Sequence, residues 1–417
     1  VDKGKDSVKK DPRLLYTMDE KGSITRLLPK NDNANYLWIQ YFYGYLKPPS
    51  SGSGGGRAGF VMASSASDAG YSEKDIREKL VRTGAVDVMI AIGNNFFYTR
   101  SLPCTLWFFD RAKEQDEHQM DRVLMLDARK IYRKVTSKVN DFSPEQSQNL
   151  ICIVNLYRGN TRKFESTVRG YLETSARLAK ETAESCAELM AHFQKVHKTV
   201  LDFAVAYVKE NKDAQNIYEA FALEDAESLY KQQDILIHEA EKAKPEASSL
   251  ESIAHLCKTS RKPQDKLIKQ LLDAIVVTAK EFQLNKSSDW KALNLKPMLD
   301  QLKAFQQKLS GNPLEDEPGL LNETEYFWKQ AYWLQSRFPD GVYTDVEGLC
   351  KVVNQAGIEC KDWSLSPGRY VGVDAAMDDD FNYEERLTEI HIELDGLNEE
   401  AFELAKVISD NFKEFAI

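Results

Sequence analysis

"RAGFVMASSASDAGYSEKDIREKLVRTGAVDVMIAIGNNFFYTRSLPCTLWFFDRAK", residues Arg57 to Lys113, decides the fold. "RAGFVMAS" (Arg57–Ser64) and "VDVMIAIG" (Val86–Gly93) are apolar runs that read as buried strands, and "LPCTLWFFDRAK" (Leu102–Lys113) reads as a third. Between the first two, "YSEKDIREKLVRTG" (Tyr71–Gly84) reads as a helix. Ser72 and Asp75 have the spacing of a capping box, and Gly84 supplies the stop. Strand, helix, strand at this spacing predicts a right-handed crossover and a partly parallel sheet. The third strand follows a connection too short for a helical crossover, so it is expected to run antiparallel to its neighbour.

That short connection, Asn94 to Pro103, holds Phe96, Phe97 and Tyr98. Connections run over the surface and are usually polar. Aromatic rings there are either packed back on the core or kept for a flat ligand. In open α/β sheets ligands sit at the carboxyl ends of the parallel strands, and this tip follows such an end. A nucleobase is the natural flat ligand to stack on Phe or Tyr. The residues alone leave both readings open.

The totals bound the function classes. A chain of 417 residues is long enough for two to three domains. A formal net charge of −10 argues against a nucleic-acid binder that uses its whole surface, though not against a local basic groove. No apolar run approaches roughly 18 residues, so no membrane span is expected. "VDKGKDSVKKDPR" lacks the apolar core of a signal peptide, and a first residue of Val rather than Met reads as a processed chain or a fragment. Cys104, Cys152, Cys186, Cys257, Cys350 and Cys360 lie far apart without any CxxC, the pattern of reduced thiols in a cytoplasmic protein.

Outward from the central stretch, "NANYLWIQYFYGYL" (Asn33–Leu46) allows a helix through Leu37, Ile39, Phe42 and Leu46 and a strand through its many aromatics, with the helix favoured. "KPPSSGSGGG" (Lys47–Gly56) reads as a loop; no GK[ST] follows, so it is no phosphate cradle. "MDRVLMLDARKIYRKV" (Met120–Val135) is expected to continue the edge of the sheet, and "SPEQSQNLICIVNLYRG" to form a helix capped at Ser143 and stopped at Gly159. From about Thr161 to Leu309 the texture is helical. The face of Leu172, Ala176, Leu178, Ala183, Cys186 and Met190 repeats at three to four residues, with breaks near Lys244–Ser249 and Lys286–Ser288. "GNPLEDEPG" (Gly311–Gly319) reads as a linker before a small mixed region over Tyr343–Val373. In the last stretch Tyr383, Leu387, Ile390, Leu394, Leu397, Ala401, Leu404 and Ile408 alternate spacings of four and three, a heptad seam that needs a partner helix.

Several chemistries are argued against by spacing. His118, His192, His197, His238, His255 and His391 form no HExxH and adjoin no cysteine pair, so no metal is expected. "DDD" (Asp378–Asp380) lacks the ligand spacing of an EF-hand. There is no GxSxG elbow, and no GxGxxG for a nucleotide-dependent oxidoreductase.

"NANYLWIQYF", the Arg57–Lys113 stretch and "DWSLSPGRYVGV" (Asp362–Val373), in this order, resemble the modification (M) subunit of type I restriction–modification enzymes. The resemblance is close through 31–160 and 325–417, and holds only in character between. It implies the C-terminal part of a SAM-methyltransferase (Rossmann-like) sheet over 1–160, a mainly helical region over 161–320, and a small mixed region over 321–417 ending in a coiled-coil-like helix. The implied activity is adenine-specific DNA methylation: a methyl group passes from S-adenosylmethionine to the exocyclic amine of a flipped adenine. The implied partners are double-stranded DNA, the specificity (S) subunit, the restriction (R) subunit and a second M subunit.

The same resemblance assigns residues. Phe97, with Phe96 and Tyr98 beside it, matches the aromatic that lies against the flipped base. Pro103 and Cys104 shape that pocket, and Arg100 is placed to meet a phosphate. The seam Leu387, Ile390, Leu394, Leu397, Leu404 and Ile408 is expected to pack on the S subunit. Lys258–Lys266 is the stretch of the helical middle where a DNA contact is first sought. The family's Gly-rich cofactor turn and its Asn-Pro-Pro-aromatic motif do not occur in these 417 residues. The chain alone is therefore expected to be inactive, starting just past that motif. The alternative is a non-catalytic helical module that binds the specificity subunit.

Overall fold

Helix and strand alternate through the first part of the chain and helix dominates the middle. The computed structural model describes residues 6–31, 34–50, 54–99, 101–136, 138–211, 216–221, 223, 226–312 and 317–373. Arg100, Asp378–Asp380 and the seam Leu387–Ile408 lie outside the described residues. In chain order the first elements are α1 (Asp6–Lys9), β1 (Tyr16–Met18), β2 (Ile24–Arg26), α2 (Asn35–Gly44), β3 (Arg57–Ala63), α3 (Ser72–Arg82), β4 (Val86–Ile92) and β5 (Cys104–Asp110). Then come β6 (Val123–Asp127), β7 (Arg133–Thr136), β8 (Val139–Asp141) and α4 (Pro144–Tyr157). The helical stretch is α5 (Thr161–Glu210), α6 (Asn216–Ala220), α7 (Ala226–Glu241), α8 (Ala247–Glu281), α9 (Ser288–Ala292) and α10 (Leu295–Ser310). A two-residue ladder, β9 (Gly311–Asn312) with β10 (Glu317–Pro318), precedes α11 (Leu320–Arg337), β11 (Cys350–Val353) and α12 (Gln355–Glu359).

Two compact units result. One takes the described residues up to Leu150 and those from Thr344 onward; the other is Ile151–Tyr343. The 344–373 segment is therefore no separate small region, because β11 hydrogen-bonds to β6 of the main sheet, while α11 belongs to the helical unit.

The main sheet has the order β11-β6-β4-β5-β3. β5 runs antiparallel to both β3 and β4 and lies between them, so β3 and β4 point the same way. β4 and β6 pair directly in parallel. A helix between parallel β3 and β4 and an antiparallel third strand, as read from the sequence, are both present. Two expectations are corrected. β3 is not a buried strand: its residues alternate between exposed and half-buried, because it is the outer strand of this sheet. β6 is not at the edge: it is enclosed by β4 and β11, which explains its unbroken apolar run Val123–Leu126.

β4 is buried along its whole length, as an apolar run covered on both faces must be. Its one charge, Asp87, pairs at 3.3 Å with buried Lys113, whose Nζ also donates to the Val86 carbonyl at 2.9 Å. Tyr36, Ile39, Ile76, Leu80, Met89, Trp107 and Phe109 fill the core beneath. Arg77 is buried among them, donating to the Tyr36 hydroxyl (3.0 Å), to the Ala69 carbonyl (2.7 Å) and to the Trp363 carbonyl.

The helix ends show where side-chain caps form. The capping box expected at Ser72 and Asp75 is absent. Tyr71, at φ 59°, is the cap residue, so Ser72 is already helical and its hydroxyl donates to Glu73 instead (3.2 Å). Gly84 stops α3 at φ +79° as expected. The cap expected at Ser143 forms, and as a full box: its hydroxyl accepts from the Gln146 amide (3.1 Å), and the Gln146 side chain accepts from the Ser143 amide (2.9 Å).

In the helical unit, α5 is one 50-residue helix. Leu172, Ala176, Leu178, Ala183 and Cys186 are buried on its inner face, whereas Met190 is only half-buried and Leu189 takes the inner place. α11 packs on this face through small and hydroxyl residues. Ser175 donates to the Thr324 carbonyl (2.9 Å), and the Thr182 and Thr324 hydroxyls meet at 2.9 Å. Burial pushes the Cys186 thiol up to about 12, so it acts as a small core residue.

Candidate functional site

β4 leaves the sheet at Gly93, and the aromatic tip begins one residue later. Gly93 is required by packing. A Cβ there would come within 2.8 Å of the Arg129 carbonyl oxygen, so the backbone after β6 closes over the end of β4. Asn95 turns the chain at φ 65°. The tip is then held from outside by Asn140 of β8, whose amide donates to the Asn95 carbonyl (2.8 Å) and whose Nδ2 donates to the Asn94 carbonyl (3.1 Å).

The three aromatics have different environments. Phe96 is half-buried and packs on Phe142, with ring centroids 4.7 Å apart. Phe97 is 42% exposed and Tyr98 92% exposed. So Phe96 answers to packing, and Phe97 and Tyr98 keep free faces. Pro103 is half-buried, and its carbonyl accepts from the Ser64 amide (3.3 Å), which ties the far side of the tip to the end of β3. Cys104 is buried, and burial pushes its thiol up from the ordinary range.

The segment Asp362–Val373 comes to the same end of the sheet. The Leu365 amide donates to the Ser67 carbonyl (2.8 Å), just past β3, and Arg369 pairs with Asp68 at 2.8 Å. After β6, Arg129 turns back on Asp127, with Nη2 at 2.5 Å and Nε at 2.8 Å from its carboxylate. Gly368 lies over this pair; a Cβ there would meet Arg129 Nη2 at 2.5 Å. The paired charges Asp68–Arg369 and Asp127–Arg129 therefore border the end of the sheet from which the tip rises. Sequence reading missed both pairs. Asp127 and Arg129 are only two residues apart, directly after an apolar run, whereas the partner of Asp68, Arg369, comes from far along the chain.

Other polar clusters are structural. Asp11 accepts from Arg13 Nε (2.8 Å) and Nη2 (2.6 Å) and from the Tyr41 hydroxyl (3.0 Å), in a cleft of about 570 Å³ lined by Asp6, Ser7, Lys10, Pro12 and Arg13. The His192 ring bonds the Met298 carbonyl and the His197 ring the Phe221 carbonyl, each at 2.7 Å. Among the described residues no group of three His, Cys, Asp or Glu could hold a metal ion, and no helix is long and apolar enough to cross a membrane.

Comparison with known proteins addresses the resemblance directly. Residues 5–177 match the family model described as N-6 DNA Methylase. A curated relative, the type I restriction enzyme MjaIX methylase subunit of Methanocaldococcus jannaschii, is 33% identical over 141 residues, which is 34% of this chain and 23% of that protein. The chain thus spans under a quarter of the curated relative it matches. A solved type I methyltransferase subunit from Streptococcus thermophilus is 22% identical, with a TM-score of 0.27 over 31% of this chain and 25% of that one. The family match over residues 5–177 and the curated relative together establish that this chain resembles the methylase subunits of type I restriction–modification enzymes.

Proposed function

We propose that this chain is part of an adenine-specific DNA methyltransferase subunit of a type I restriction–modification system, with Phe97 stacking on an adenine flipped out of the duplex. The observation that carries the reading is the tip itself. A partly exposed ring stands past the carboxyl end of a parallel strand, in a tip whose Asn94 and Asn95 carbonyls accept from Asn140, in a stretch that matches an N-6 DNA methylase family. A flipped base needs a flat apolar partner on its face. Tyr98 and Pro103 flank it, and Phe96 serves as the packed foot of the tip.

The methyl donor in this reading is S-adenosylmethionine, and the residues of this chain do not fit it. There is no Gly-rich turn after a strand, and the glycine that ends β4 has its side-chain space filled by the Arg129 backbone. Cofactor binding and the polar groups that hold the amine are therefore assigned to residues outside this sequence, and no step is routed through them here. Double-stranded DNA, the specificity and restriction subunits and a second modification subunit are the partners the reading requires. The seam Leu387, Ile390, Leu394, Leu397, Leu404 and Ile408 is proposed as the contact with the specificity subunit, in the helix-on-helix mode.

The same closed end of β4 favours a second reading, a non-catalytic module that only assembles with the specificity subunit. The coding DNA upstream of Val1 separates the two. Asn-Pro-Pro-Phe or Asn-Pro-Pro-Tyr just before Val1, with a Gly-rich turn further up, supports the methyltransferase. A start codon in place of that motif supports the assembly module.

A further inference from the structure

We propose that the β7–β8 hairpin grips the phosphate backbone of the nucleic acid whose base meets the aromatic tip. The proposal deepens the DNA reading above and rests on it. Every residue of β7, Arg133 to Thr136, is exposed, and the hairpin forms its own two-stranded sheet apart from the main one. A strand that buries no side chain is not retained for the core, so what it presents outward is its content. Residues 127–141 hold five cations (Arg129, Lys130, Arg133, Lys134 and Lys138) against Asp127 and Asp141, on a chain whose net charge is −10. Lys130, Lys134 and Lys138 are exposed.

The hairpin is also fixed in place. Arg133 clasps Asp141 across the strands through Nε at 2.6 Å and Nη2 at 3.0 Å, which sets the register near its base. Asn140 ties β8 to Asn94 and Asn95, and Phe142, one residue past β8, carries the ring of Phe96. The cations therefore stand at a set distance from Phe97. Phosphate contacts position a duplex without reading its sequence, which suits a subunit that acts on a base it does not select. The competing occupant is an acidic protein surface.

The test measures binding of the 417-residue chain to a short labelled duplex by fluorescence anisotropy across salt concentrations. The triple variant Lys130→Gln, Lys134→Gln, Lys138→Gln is compared with Lys180→Gln, Lys195→Gln, Lys198→Gln on exposed positions of α5. The hairpin triple is expected to flatten the slope of log K against log salt by about 2 to 3 and to weaken low-salt binding tenfold or more. The α5 triple is expected to leave the slope unchanged. An unchanged slope for the hairpin triple, an equal loss in both triples, or no binding by the parent chain overturns the proposal. If the assembled enzyme still methylates adenine in that event, the hairpin assignment has failed and the DNA reading stands.

Discussion

The ring of Phe96 rests on the ring of Phe142 with their centroids 4.7 Å apart, and this contact joins the aromatic tip to the residue that follows β8. It divides the labour among three consecutive aromatics. Phe142→Ala is expected to cost about 1 to 2 kcal/mol, the value of an aromatic pair plus part of its burial. Hydrogen exchange at the Asn140 amide should speed up at least tenfold, because its bond to the Asn95 carbonyl depends on the tip staying down. Unchanged protection would mean that Asn140 alone anchors the tip.

Phe97 is 42% exposed, so Phe97→Ala should shift stability by no more than about 1 kcal/mol. On the proposed reading, Phe97→Ala in the assembled enzyme is expected to lower methyl transfer about 10- to 100-fold, with Phe97→Trp retaining most of it. A thermal melt and a methyl-transfer assay on the same preparations check both halves. Equal activity of the Ala and Trp variants would remove Phe97 from the site.

The buried Arg77 joins α3 to the Asp362–Val373 segment through the Trp363 carbonyl. Arg77→Met keeps much of the volume but strands the Ala69 and Trp363 carbonyls and removes the donor to the Tyr36 hydroxyl, which keeps its own bond to the Ala66 carbonyl. Loss of about 3 to 5 kcal/mol is expected, from several buried partners left unmet. Limited proteolysis should then cut near residues 362–373 first. Cutting elsewhere first would show that this segment is held mainly by β11.

Asp11 gives a pH dependence of definite sign. Its hydrogen bonds from the Arg13 side chain hold its carboxyl well below the ordinary 3.8. The folded value is depressed, so the contribution is present above pH 3.8 and is lost as pH falls through the folded value. Asp11→Asn should therefore be less stable than the parent by about 1 to 3 kcal/mol from pH 7 down to about 4. The gap should narrow below that, in urea melts at a series of pH values. A gap that is constant into strong acid would assign the effect to packing.

Cys360 is exposed and the other five cysteines are buried. One thiol should react rapidly with a disulfide reagent in the native chain, and all six in denaturant. A second fast thiol would show that one of the buried sites opens.

The strand–helix–strand–strand course of Arg57–Asp110 was legible because its signals are local: apolar runs of strand length, a helical period between them, and a connection too short to cross over. The insertion of β5 between β3 and β4 was not, since pairing partners depend on contacts across the whole stretch. Nor was β11, which reaches β6 only after the helical unit intervenes. The sequence suggested a capping box at Ser72 and Asp75 and a capped helix start at Ser143. At Ser143 a reciprocal pair of bonds with Gln146 forms, while at Ser72 none does because Tyr71 takes the cap position at a positive φ. At the tip, the sequence named the three aromatics but could not tell packed Phe96 from exposed Phe97. That distinction depends on Phe142, whose ring arrives from beyond the next two strands of the sheet and the hairpin. The basic hairpin escaped notice for a related reason: its charges stand out only when β7 is seen to bury nothing.

The most direct measurement is methyl transfer by the assembled enzyme that contains this chain. Unmodified DNA is incubated with S-adenosylmethionine labelled in the methyl group, digested to nucleosides and separated. The account predicts label in N6-methyladenine, falling at least tenfold with Phe97→Ala. Label in cytosine, or none in any base from an enzyme assembled with all its subunits, would contradict it.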